Sequence, residues 1–223
     1  MSARDDILAR IRRSLAVPGN DAGRQAAISE RLAKAPRGII PERGALPDDA
    51  RLELFETMAV KANASVARIA SIDELPKAVT AYLKSKNLPS DIRMGEDSLL
   101  ASADWSLQPQ LEIRKGASDG ADMTGLSRAF AGVAETATLL LTSGAANPTT
   151  LNFLPEHHIV VLQKADLVGD METALERLKA REGKGAMPRA LNMITGPSRS
   201  GDIEQTIILG AHGPRALHII VVD

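Results

Sequence analysis

HHIVVLQKADLVGDMETALERLKAREGKGAMPRALNMITG, residues 157–196, decides the fold class. It opens and closes on fully apolar runs, "HHIVVLQ" and "ALNMITG", each short enough for a strand. Between them "DMETALERLKAR" reads as a helix. Strands apolar on both faces belong to a sheet covered on both sides, and a helix between two of them is the usual link in a parallel sheet.

The same alternation runs outward. "RLELFETMAVKAN" reads as helix, "ASVARIA" as strand, "SIDELPKAVTAYLKSK" as helix and "SDIRMG" as a short strand. "EDSLLASAD" follows as a helical turn, "QLEIRK" as a strand, "ADMTGLSRAF" as a helix, and "GVAETATLLLTS" as an apolar strand. "DIEQTIILG" reads as a helix and "ALHIIVVD" as a last strand. The pattern predicts an α/β fold, a mostly parallel sheet with helices on both faces.

Residues 51–223 carry this pattern, and residues 1–50 do not. "SARDDILARIRRSLAV" sets Ile7, Leu8, Ile11 and Leu15 on one helical stripe, with Ser2 as N-cap and Asp5 and Asp6 in the first turn. Beyond it Pro18, Pro36, Pro41 and Pro47 interleave with Gly19, Gly23, Gly38 and Gly44, an extended arm with a helical patch at "RQAAISERLAKA". The division expected is an N-terminal helix and arm over 1–50 and an α/β domain over 51–223.

Composition narrows the function classes. The net charge is −1 and aromatics make up 2% of the chain, so neither an electrostatic nor a stacking surface for nucleic acid is expected. There is no cysteine, which excludes disulfides, thiolate nucleophiles and a Cys-ligated iron–sulfur cluster in this chain. No apolar run reaches membrane-spanning length, and the charged N-terminus does not resemble a signal peptide. A cytoplasmic chain with no membrane contact is expected.

Three places carry candidate chemistry. "GPSRSGDIE", residues 196–204, links the strand "ALNMIT" to the expected helix "DIEQTIILG", at the strand ends where α/β sheets bind ligands. Gly196 and Gly201 allow close approach, Ser198 and Ser200 offer hydroxyls, and Arg199 a donor fork. Asp202 and Glu204 would occupy the first helical turn and oppose a bare phosphate, so a carboxylate or a metal-bridged anion suits the loop better. Glu135 is the one charge in its apolar run and must pair with Arg199 or Arg215 or face a cleft. A carboxylate in a cleft is a candidate nucleophile or acid–base group. Of the histidines, His157 and His158 point to opposite faces of a strand, His212 sits in a turn, and His218 lies inside the last strand. No metal-ligand spacing is present, and neither a phosphate-binding loop, a dinucleotide fingerprint nor a serine-hydrolase elbow occurs.

In order along the chain, "AETATLLLTS", "LPEHHIVVL", "ITGPSRSGDIE" and "GAHGPRALHIIVVD" resemble the LUD-domain family, in its lactate-utilisation protein C branch. The likeness is strong over residues 122–223, and "ILARIRRSL" is similar to that branch's N-terminal helix. The resemblance implies a fold similar to the NagB/RpiA/CoA-transferase group. It also implies work beside iron–sulfur partner proteins in oxidising L-lactate to pyruvate, which suits a chain without cysteine. Glu135 and Thr136 match the first motif, and Pro155 and His158 the second. Gly196, Pro197, Ser198, Asp202 and Glu204 match the third, and His212, Gly213 and Pro214 the fourth. Ala137 stands where many members have Gly, and "SGAANPTTLNFLP" lacks an arginine that many carry.

Glu135 and His212 are therefore the catalytic candidates. Thr136, His158, Gly196, Ser198, Arg199, Asp202 and Glu204 are the candidates to bind a small carboxylate or organic cofactor. Glu135, Arg199 and His212 are expected to converge. A stand-alone CoA-transferase-like or acyl-ligase-like enzyme using Glu135, or a non-catalytic assembly or regulatory protein, are the alternatives.

Overall fold

The computed structural model describes residues 2–16, 21–34, 37–183, 185–203 and 206–223, with backbone alone at 202, 203, 206 and 207. The chain divides into two units, Met1–Ile39 and Ile40–Asp223.

Among its described residues, the first unit forms two helices. α1 (Ala3–Leu15) starts in a reciprocal capping box: Ser2 accepts from the Asp5 amide, and the Asp5 carboxylate accepts from the Ser2 amide. Its expected stripe of Ile7, Leu8, Ile11 and Leu15 is solvent-exposed. α2 (Ala22–Lys34) is longer than the patch expected, and Asp21 accepts from the Arg24 amide at its start.

The second unit opens with α3 (Asp48–Lys61) and then builds a parallel sheet. Its strands are β1 (Ser65–Ile69), β2 (Asp91–Met94), β3 (Glu112–Lys115), β4 (Thr124–Arg128), β7 (His157–Gln163) and β12 (Ala216–Val222). They lie in the order β1-β12-β7-β4-β2-β3, and every neighbouring pair is parallel. α4 (Leu75–Ser85) and α5 (Ser98–Ser102) link the early strands. A second sheet, β8-β5-β6-β9, is formed by β5 (Ala131–Val133), β6 (Thr138–Thr142), β8 (Leu167–Val168) and β9 (Leu191–Ile194).

The pleat sorts the core into two layers. Ile92, Leu126, Ile159, Val161 and Ile220 face Val79 and Leu83 of α4 and Leu100 of α5. Val160, Leu162, Ile219 and Val221 face the other way, onto Phe55 of α3 and Leu139 and Leu141 of β6. That second face is therefore covered by the smaller sheet together with one helix. A side chain such as Ile159, fully buried, gains roughly 2 kcal/mol from leaving water.

Three readings need correction. β9 does not join the parallel sheet; it pairs antiparallel with β6, and β12 takes the place beside β7. "ADMTGLSRAF" is not a helix but β4, a central strand. A Cβ on Gly125 would lie 2.9 Å from both the Leu151 carbonyl and Pro155, so glycine is needed for that close packing. "DIEQTIILG" is not a helix either. β10 (Arg199–Ile203) and β11 (Thr206–Leu209) form an antiparallel hairpin, as the β-branched Ile203, Thr206, Ile207 and Ile208 favour.

After β7 the chain passes through β8 into α6 (Met171–Glu182), whose N-terminus Asp170 caps by accepting from the Thr173 amide. Among the described residues, no helix is long and apolar enough to cross a membrane.

Candidate functional site

The hairpin changes the character of the "GPSRSG" loop. With no helix following it, no row of helical amides is available to an anion. The loop does follow the carboxyl end of a strand, β9, but against the parallel sheet it lies beside the amino ends of β7 and β12. The strand feeding it, β9, belongs to the other sheet. Ser198 is fixed there by two backbone bonds: its amide donates to the Pro214 carbonyl at 2.8 Å, and its carbonyl accepts from the Gly210 amide at 2.9 Å.

Here three separated stretches enclose one cavity of about 250 Å³. Thr195, Gly196, Pro197 and Ser198 form one wall, His212, Gly213 and Pro214 another, and Asn152, Phe153 and His158 the third. Among the described residues, no Lys, Arg, Asp or Glu lines it. Its polar groups are neutral amide and hydroxyl groups and two imidazoles among apolar surface, a setting for a small organic molecule held by a few hydrogen bonds.

His158 is the buried member. Its Nε2 lies 3.1 Å from Ser127 Oγ, which donates to Asn152 Oδ1 at 3.2 Å. Ser127 has one hydroxyl proton, so with that proton given to Asn152 the imidazole must be the donor to Ser127. His158 then carries its proton on Nε2 and keeps Nδ1 as an acceptor. Burial pushes its pKa down to about 3. At neutral pH it is a hydrogen-bond partner and a poor proton acceptor.

The expected convergence of Glu135, Arg199 and His212 is not what the contacts give. His212 lines the cavity, exposed. Arg199 instead donates from Nη2 to the Ala62 carbonyl, at 2.9 Å, just beyond the end of α3. Glu135 is 6% exposed and sits in the turn between β5 and β6, not within a strand. Its Oε1 accepts from the Met171 amide at 3.4 Å, and its Oε2, 3.9 Å from Arg43 Nε, has no hydrogen-bond partner. Arg215, the other partner considered, pairs with Glu156. The side chain of Asp202 and the whole of Glu204 lie outside the described residues.

Thr136 connects to the cavity indirectly. Its hydroxyl lies 2.7 Å from Thr138 Oγ1, which lies 2.6 Å from Thr195 Oγ1. This chain of hydroxyls runs from the Glu135 turn to the cavity wall. Thr138, Thr195, Ser127 and Asn152 were not among the sequence candidates. Only the pairing of β6 with β9 and of β4 with β7 brings them to the site.

His157 and His218 form a separate cluster on the opposite face. Tyr82 stacks on His218 at 4.3 Å and its hydroxyl lies 2.9 Å from His157 Nδ1, while Ser65 Oγ lies 2.8 Å from His218 Nδ1. Among the described residues, no group of three or more His, Asp or Glu could hold a metal ion.

The LUD-domain model matches residues 52–222, nearly the whole second unit. The chain belongs to the LUD-domain family. Several of its curated likenesses are lactate utilization protein C. It is 36% identical over 91 residues to that protein of Shouchella clausii, covering 41% of this chain and 40% of the relative. It is 37% identical over 109 residues to that of Geobacillus thermodenitrificans, covering 47% and 45%. An uncharacterised protein of Neisseria meningitidis serogroup B is 32% identical over 145 residues, 63% of this chain and 61% of that one. The chain thus spans 40–61% of these relatives' lengths. A DUF162-family crystal structure from Deinococcus radiodurans shares the fold, with a TM-score of 0.57, 22% identity, and coverage of 80% of this chain and 99% of that one.

Within this LUD domain, Ala137 has φ 53°, in the left-handed region that favours glycine. That explains why glycine suits the position that the resemblance marked as a departure.

Proposed function

We propose that this LUD domain is a component of a lactate-utilising system and holds a small carboxylate in the cavity of His158, Ser198 and His212. The observation that carries the reading is the meeting of three motif stretches at one cavity, in a chain whose curated likenesses include several lactate utilization proteins. His158 Nδ1 offers an acceptor to a 2-hydroxyl group. Ser198, Thr195 and Asn152 offer neutral donors to the carboxylate, a weaker grip than an arginine would give. Electrons leave through iron–sulfur partner chains, a division of labour that suits a chain with no cysteine. Deletion of the gene in its host should abolish growth on L-lactate, and the double variant Ser198→Ala, His212→Ala should fail to restore it. Full growth of the deletion strain would sink the lactate reading; rescue by the double variant would remove the cavity from it.

A second reading keeps Glu135 as the nucleophile of a CoA-transferase-like enzyme. Its unpartnered Oε2 favours this, since a buried carboxylate oxygen without a donor is costly to maintain. In that reaction the carboxylate would attack an acyl thioester, form an acyl–glutamyl anhydride and release CoA as thiolate. Trapping of the anhydride by hydroxylamine, with acyl-CoA as substrate, tests it.

A further inference from the structure

The parallel sheet has a second place built for a ligand, at its other end. β2 and β4 are neighbours, but the chain leaves them on opposite faces. After β2 it enters α5, whose Leu100 packs with Ile92 and Leu126. After β4 it enters β5 and β6, whose Leu139 and Leu141 pack with Val160 and Leu162 on the other face. Neighbouring strands whose connections part in this way leave a crevice at their carboxyl ends, where open α/β sheets bind ligands. A cavity of about 440 Å³ fills that position.

The walls come from the segments that follow the strands. Asp97 lies just beyond β2, Arg128 ends β4, and Phe130 follows it. Asp166 comes from the turn after β7 and Arg181 from α6. The 144–147 segment closes one side and sits directly on Gly95, where a Cβ would come within 2.0 Å of the Ala146 carbonyl oxygen. The wall is thus formed by backbone packed on backbone, fixed before any ligand arrives.

The charges inside are arranged unevenly. Arg128 is engaged by the protein: Nη2 donates to Gln163 at 2.6 Å and to Asp166 at 3.3 Å, and Nη1 lies 4.0 Å from Asp97. Its Nε is buried and has no partner. Asp97 uses Oδ1 to cap α5, accepting from the amides of Leu99 and Leu100. Arg181 Cζ lies over the Phe130 ring, 4.2 Å from its centroid, and its acidic partner is its own chain neighbour, Glu182, at the surface. An exposed pair of that kind is weak and exchanges readily for another anion. A guanidinium over an aromatic face at a cavity wall is a fork for a carboxylate or phosphate.

The geometry points to a binding site for a small hydroxylated anion, its carboxylate or phosphate on Arg181 and its hydroxyls on Asp97 and Asp166. This site goes beyond the lactate reading and shares no lining residue with the His158 cavity.

Titration of the full chain with glycerate, glycerol 3-phosphate and glycerol, followed calorimetrically, tests it. At least one of the two anions should bind, with glycerol itself at least tenfold weaker, and the preferred anion tells carboxylate from phosphate. Arg181→Gln should weaken that binding at least tenfold with the melting temperature unchanged. Ala146→Trp, at an exposed wall position, should block it if Arg181→Gln proves unstable. Ser198→Ala, in the other cavity, should leave the binding that Arg181→Gln weakens intact. Failure of both anions to bind, equal binding of glycerol, or an unchanged affinity in the Arg181 and Ala146 variants would overturn the proposal. Loss of binding in the Ser198 variant instead would assign the ligand to the His158 cavity.

Discussion

Arg199 Nη2 donates to the carbonyl oxygen of Ala62 at 2.9 Å, across 137 positions of sequence. That bond ties the "GPSRSG" loop to the end of α3, where helical carbonyls lack partners and a cation is favoured. The arginine that looked like a substrate fork is a clasp between two elements. Replacing it with Ala should lower stability by about 1 kcal/mol, the typical worth of such a bond. Thermal unfolding measures this. An unchanged melting temperature, with ligand binding lost, would return Arg199 to the site.

The same carbonyl constrains Gly196. A Cβ there would lie 2.1 Å from Ala62 O, and its φ of 71° disfavours any L side chain. Neither the loop nor the end of α3 can yield without breaking the Arg199 bond. Gly196→Ala should therefore cost about 2 kcal/mol or more, from the left-handed backbone and the displaced contact together. It should also disturb the His158 cavity, which Gly196 lines. Chemical denaturation would show the loss; a cost below about 0.5 kcal/mol would mean the loop moves freely.

Much of the fold was legible because two interior strands of the large sheet are apolar on both faces, "HHIVVLQ" and "ALHIIVVD", and helical patterns alternate with strand patterns along the chain. What failed were stretches whose pattern suits helix and strand alike. "ADMTGLSRAF" mixes small and polar residues because Gly125 lies under Leu151 and Pro155, a fact of packing invisible locally. "DIEQTIILG" offered acids suited to a helix start and β-branched residues suited to a strand, and pairing decided for the strand. At the site, the motifs located His158, Ser198 and His212 but not what each does. That Arg199 serves α3 and that Glu135 faces the start of α6 depends on where distant elements end.

Buried histidines make stability depend on pH. Burial lowers His218 from 6.5 to about 4, with Ser65 opposing the shift and Lys86 adding to it. His158 falls to about 3 by burial, and His157 is lowered by burial first and then by Arg215. In the unfolded chain these rings take up protons near pH 6.5; in the folded chain they do so only in more acid solution. The unfolded state therefore binds more protons below about pH 6.5, and stability falls as pH drops from there toward 4 and below. His218 alone accounts for roughly 3 kcal/mol of this loss. Denaturant midpoints from pH 7.5 to 4 would follow it. Replacing Tyr82 with Phe should leave the sign unchanged, because burial is the leading cause.

Glu135 invites a variant pair that separates structure from chemistry. Its Oε1 holds the Met171 amide at the start of α6, and its Oε2 has only the distant Arg43 guanidinium. Glu135→Ala removes the acceptor and leaves a part-buried amide without a partner, a loss of about 1–3 kcal/mol. Glu135→Gln keeps a carbonyl oxygen for Met171 and removes a buried charge, so its cost should stay below about 1 kcal/mol. If the carboxylate only anchors α6, the Gln variant should support growth on L-lactate as the parent does. If Oε2 is a nucleophile, the Gln variant should fold normally and lose acyl transfer entirely, because an amide cannot form the anhydride. The structure favours the first outcome, since Glu135 is 6% exposed and lines none of the walls of the His158 cavity. A stable Gln variant that fails on L-lactate would place the chemistry at Glu135 and make the His158 cavity its accessory.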